Sequence, residues 1–119
     1  MSTFVDEFKK RTKRFALRVI RLIESLPTGK TANHIGGQLL RAGTSVGANY
    51  RAACRARSNA DFCSKMGIVE EEADECMFWM ELLIEAQLVR AKLLQSLMDE
   101  ANEILSIVVA SIRTARKKS

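Results

Sequence analysis

Apolar residues recur along this chain in alternating steps of four and three, the spacing that gathers side chains onto one face of a helix. The first run is Phe8, Thr12, Phe15, Val19, Leu22 and Leu26, and Pro27-Thr28-Gly29 ends it, because proline cannot continue the hydrogen-bond ladder and glycine favours a turn. A helix is predicted over residues 3–25. The second run, Ile35, Leu39, Ala42, Val46, Asn49 and Ala53, fades at Arg55-Ala56-Arg57-Ser58-Asn59. It predicts a helix over 31–56, with Thr31 or Asn33 as its cap. Asn59 is the expected cap of a third helix over 59–87, bearing Phe62, Met66, Val69, Ala73, Cys76, Met80 and Leu83. A fourth over 92–116 carries Leu94, Met98, Ala101, Leu105, Val108 and Ile112. Four amphipathic helices with short joints predict an all-α protein, an antiparallel up-down four-helix bundle forming one domain.

Composition narrows the chemistry. With 119 residues, 47% of them hydrophobic and 28% charged, the chain reads as a single folded domain. One proline and six glycines are too few breakers for an all-β fold. No apolar run approaches the ~18 residues of a membrane span, and the start carries acids rather than an apolar signal core, so the expected location is the cytoplasm, with no membrane partner. Cys54, Cys63 and Cys76 show no metal-knuckle or CxxC spacing, and His34 is the only histidine. Reduced, half-buried thiols and no metal site are expected. Gly36-Gly37, Gly43 and Gly47 match neither phosphate-loop pattern. No cofactor and no catalytic activity are predicted.

Charge is distributed unevenly. Net charge is +5, but residues 1–57 hold 12 Lys/Arg against 3 Asp/Glu, and residues 58–119 hold 7 against 11. A basic half joined to an acidic half suggests a polyanion partner, self-association of opposite faces, or both. At about 100° per residue, Lys10, Arg14 and Arg21, with Lys13 beside them, form a basic column opposite the first core stripe. Arg41, Arg51 and Arg55 form another on the second helix. Such columns on adjacent helices suit phosphate-backbone contacts, and with no aromatic between them base stacking is not indicated. The same columns would also read as ordinary solvated faces.

Other positions point to packing. Gly36, Gly43, Gly47 and Cys54 share one narrow column, and helical glycine costs up to about 1 kcal/mol relative to alanine, so close approach of another helix is expected there. Gly43 and Gly47, with Ile68, Phe78, Trp79 and Leu82 outside the third core stripe, are the predicted subunit interface. Asn49 lies on the inward face, where Ser45, the Tyr50 hydroxyl or a helix carbonyl would have to satisfy it, fixing bundle register. The acids from Glu70 to Glu75 diverge around one helix and read as a solvated or subunit-pairing face rather than metal ligands.

The stretch Gln38-Leu39-Leu40-Arg41-Ala42-Gly43-Thr44-Ser45-Val46-Gly47-Ala48-Asn49-Tyr50-Arg51, continuing through Arg55-Ala56-Arg57-Ser58 to Phe62, the segment from Gly67 to Glu75, and Trp79-Met80-Glu81-Leu82-Leu83, resembles the bacterial 23S rRNA intervening-sequence proteins over about residues 35–88. That family's helix-two Arg, Ser and Asn correspond to Arg41, Ser45 and Asn49. Many members carry Glu-Gly after the Asn turn, where this chain has Arg51-Ala52-Ala53, a more basic face. The resemblance implies a small antiparallel bundle, a homo-oligomeric ring, often a pentamer, and nucleic-acid binding. A related protein, the accessory variability determinant of diversity-generating retroelements, implies a ribonucleoprotein or reverse-transcriptase partner.

Two functions follow as expectations. The first is a non-catalytic protein binding RNA or DNA, in an rRNA or ribonucleoprotein accessory role, through phosphate contacts. The alternative is a protein-interaction or scaffold module that binds no nucleic acid. Salt dependence separates them, because counterion release gives nucleic-acid binding a steep slope.

Overall fold

A computed structural model describes residues 2–118. Four helices follow in order: α1 (Phe4–Glu24), α2 (Lys30–Cys54), α3 (Asn59–Glu85) and α4 (Ala91–Lys117), with no strand among the described residues. Thr3 starts α1 through a capping box in which its hydroxyl accepts from the Asp6 amide and the Asp6 carboxylate accepts from the Thr3 amide. Two expected caps are corrected. Gly29, not Thr31 or Asn33, precedes α2, and at φ +149° it takes a conformation that side-chain-bearing residues rarely adopt. Ser58, not Asn59, caps α3, its hydroxyl accepting from the Asp61 amide, while the Asn59 side chain donates to the Ala115 carbonyl of α4.

Opposed contact orders set the topology. Gly36, Gly43 and Gly47 of α2 meet Leu26, Val19 and Thr12 respectively, running backwards along α1 and the joint that follows it. On α3, Trp79 stacks edge-on against His34, and Glu72 and Glu75 pair with Arg41. On α4, Ser96 meets Arg18, and Glu100 and Glu103 meet Arg11. Neighbouring helices are therefore antiparallel, as an up-down bundle requires, in a body of 47 × 28 × 19 Å. The α2/α3 contact is the most extensive and the α1/α4 contact the thinnest.

The core is made mostly of residues the stripes name; Leu22, Leu26 and Phe62 pack at its margin, Ala32 and Ala115 join it from outside the stripes, and in two places the buried position is displaced by one residue. Tyr50 rather than Asn49 is buried on α2, its ring edge-on to Phe8. On α4, Leu97 and Ile104 are buried where the spacing predicts Met98 and Leu105, and those two pack at the margin. Both shifts are of one residue, about 100° of rotation, too little for spacing alone to resolve. Burial and a hydrogen bond with Cys54 push the Tyr50 phenol well above its ordinary range.

Across the thin α1/α4 seam, Arg11 donates from Nε to Glu100 at 2.7 Å and pairs with Glu103 at 2.8 Å. The hydrogen bond from Arg11 holds the Glu100 carboxyl below its ordinary value of 4.5. Because the folded value lies below the unfolded one, this pair stabilises fully above about pH 4.5 and loses its contribution as pH falls through the folded value. Thermal melts of wild type and Glu100→Gln are expected to differ near neutral pH and to converge under acid. A constant difference at every pH overturns this account.

Candidate nucleic-acid and subunit interfaces

Exposed cations sort into three settings. Arg41, which spacing assigns to the basic column of α2, lies instead on the flank facing α3, where it pairs with Glu72 at 3.1 Å and with Glu75. The bond to Glu75 raises its pKa first and most. In this structure it is a strut between helices, and so it is not among the unpaired cations. Lys10 lies 3.9 Å from Glu7 one turn earlier, an exposed pair of little energetic weight. Lys13, Arg14, Arg21, Arg51 and Arg55 make no ion pair among the described residues.

Lys13, Arg51 and Arg21 line two grooves, whereas Arg14 and Arg55 line neither. Between α1 and α2 runs a groove of about 200 Å³ whose floor is Thr12, Ala16, Thr44, Gly47 and Ala48, and whose charged walls are Lys9, Lys13 and Arg51. Small residues make this groove because they let the two backbones approach. A Cβ on Gly47 would stand 3.3 Å from the Thr12 hydroxyl oxygen and 3.5 Å from its carbonyl carbon. Lys9 falls outside the predicted basic column, although its place one turn before Lys13 on the α2 side follows from spacing. Arg55, just past the end of α2, lies one turn beyond Arg51.

The second groove, about 650 Å³, lies over the α1/α4 seam. Leu22, Leu88, Val89, Leu93, Leu94 and Leu97 form its apolar wall, and Arg18, Arg21 and Arg90 its rim. Leu93 is 72% exposed, the highest value among the large exposed apolar side chains. Its position falls outside every predicted stripe.

The predicted subunit face divides. Gly43 is buried, and a Cβ there would lie 2.9 Å from both Val19 methyl carbons. The close approach inferred from the glycine column exists, but its partner is α1 of the same chain. Gly43 and Gly47 are therefore removed from the interface. Trp79 is half-buried against the core, its indole N–H donating to Glu75 at 2.9 Å, with His34 edge-on at 6.2 Å. Leu82 is likewise half-buried. Ile68 and Phe78 are exposed, and Phe78 rests edge-on against Trp79 at 5.1 Å.

Ser45 and Asn49 are half-buried rather than sealed, and each donates to a carbonyl four residues back in α2, Ser45 to Arg41 and Asn49 to Ser45. They satisfy themselves locally, so no buried network of theirs fixes register. Among the described residues Thr12 is the buried polar one, its hydroxyl donating to the Lys9 carbonyl. Among the described residues no cluster of three or more His, Cys, Asp or Glu could hold a metal, and no helix is long and apolar enough to cross a membrane.

The family model for the 23S rRNA-intervening sequence protein matches residues 7–110, nearly the whole bundle. The chain belongs to that family. A crystal structure of a protein of unknown function from the S23 ribosomal protein family of Bacteroides thetaiotaomicron is similar at 35% identity and a TM-score of 0.82, covering 87% of this chain and 96% of that one. Among curated proteins none matches. The match extends well beyond the two middle helices that carry the resemblance and takes in α1 from residue 7 onward. In this member of the intervening-sequence family, Arg41, which the resemblance matches to the family's helix-two Arg, is ion-paired with Glu72 and Glu75.

Proposed function

We propose that the protein is a non-catalytic nucleic-acid-binding bundle that works as a homo-oligomer, gripping phosphates of RNA or DNA in the α1/α2 groove. The carrying observation is the convergence of Lys9, Lys13 and Arg51, none of them ion-paired among the described residues, on one shallow groove floored by small residues. A narrow cationic trough without aromatics suits a backbone and reads no bases. The family's description points to an rRNA setting. The resemblance adds a cytoplasmic ribonucleoprotein or reverse-transcriptase complex and a five-membered ring, which would repeat the groove and convert weak single contacts into avidity.

The test is fluorescence anisotropy of labelled RNA and duplex DNA across a salt series. Replacing Lys9, Lys13 and Arg51 together by glutamine is expected to weaken every sequence alike and to flatten the log-log salt slope by about 0.7–0.9 for each phosphate no longer neutralised. Arg41→Gln, which removes a strut, should leave the slope unchanged. No binding by wild type at low salt, or unchanged binding by the triple variant, overturns the reading. The scaffold alternative would then stand on the acidic face of α3.

A further inference from the structure

The outer face of α3 carries Glu71, Asp74, Phe78, Glu81 and Glu85 at steps of three and four, one continuous strip. Four carboxylates surround one phenyl ring that is 51% exposed. None of the four forms an ion pair among the described residues, whereas Glu72 and Glu75 on the adjoining flank are taken by Arg41. Phe78 is held in place from behind by Trp79, which is hydrogen-bonded to the same Glu75. The strip thus presents an exposed aromatic knob, backed by Trp79, in a negative frame.

The α1/α4 groove is its complement. Its wall is leucine and valine, its rim Arg18, Arg21 and Arg90, and no acid lines it. Arg18 is hydrogen-bonded to the neutral Ser96 hydroxyl, and Arg18, Arg21 and Arg90 have no ion-pair partner among the described residues. At about 650 Å³ it has room for a phenyl ring. α1 and α3 occupy opposite corners of the bundle and make no close backbone approach, so the strip cannot reach the groove of its own chain.

We propose that the Phe78 strip of α3 docks into the α1/α4 groove of a second copy of this chain, Phe78 seated beside Leu93 and the four carboxylates set against the arginine rim. This rests on the reading that the protein self-associates, and it specifies how. The contact joins two different surfaces, so each copy keeps one free groove and one free strip, and addition continues until a ring closes. The α1/α2 groove lies on the other flank of α1 and stays open to phosphates. Raised salt weakens the contact, because its charges lie at a solvated rim.

The test uses two variants that each destroy one face. Phe78→Ala with Glu81→Lys removes the strip, and Arg90→Glu with Leu93→Ala removes the groove. All four positions are at the surface, and circular dichroism checks that both variants fold. The charge changes Glu81→Lys and Arg90→Glu alone serve where a double variant does not. In sedimentation velocity at micromolar protein, wild type is expected as an oligomer and each variant as a monomer, its dissociation constant raised about thirtyfold or more. Mixed in equal amounts, the variants should form a heterodimer, since each retains the face that the other lacks. A wild-type monomer overturns both the docking and the self-association beneath it. A wild-type oligomer that the variants leave intact, or a mixture that stays monomeric, overturns the docking while self-association stands.

Discussion

Replacing Phe15 with alanine is expected to remove about 3–5 kcal/mol of unfolding free energy, a large share of the ~5–15 kcal/mol a domain of this size possesses. Phe15 is the largest fully buried side chain, 1% exposed. α1 depends on it more than its length suggests, because it leans on α2 along one flank and meets α4 only across the thin seam. The cavity left by the ring lies in a core whose other members, Val19 and Leu39 among them, have no exposed surface, so collapse can fill it only in part. A fall in melting temperature of roughly 10–20 °C is the expected reading. A fall of only a degree or two would mean that α1 contributes little to the cooperative unit.

Two glycines of α2 should respond with opposite signs. At Gly43 a Cβ would lie 2.9 Å from both methyl carbons of Val19 and 3.1 Å from its Cβ. Val19 is short and sealed, so it cannot swing aside, and Gly43→Leu is expected to cost about 3 kcal/mol as α1 is pushed off α2. At Gly37 nothing lies within 4 Å of the added carbon. Gly37→Ala therefore gains helix propensity without strain and should stabilise by up to about 1 kcal/mol. Denaturant titration of the two variants beside wild type measures both. A neutral Gly43→Leu would show that α1 and α2 are not in close contact in solution.

Much of this architecture is legible in the spacing. The stripes containing Phe15, Leu39, Met66 and Val108 name residues the fold buries, because a helix has one period and one buried face. What a single helix cannot disclose is which neighbour stands beside each flank. The glycine column shows that a backbone comes close, yet the identity of that backbone, α1 of the same chain, is a tertiary fact. Arg41 illustrates the same limit, since its distance from the core stripe suggests a free cation and only the placement of α3 supplies Glu72 and Glu75. Lys9 and Leu93 escape the pattern for a related reason. Each becomes significant by lining a groove between two helices, and neither stands out within its own helix.

The three thiols give the molecule an internal clock. Cys76 has no exposed surface, and burial, reinforced by Glu72 and Glu75, pushes its thiol up to about 12. Cys54, at the end of α2, and Cys63, in the second turn of α3, are half-buried. An alkylating reagent needs a thiolate and a path to it, so modification of Cys76 can proceed only through excursions in which α3 parts from the core, whereas the other two report local motions at the helix ends. The rates at three positions in one natural sequence thus separate fraying from opening.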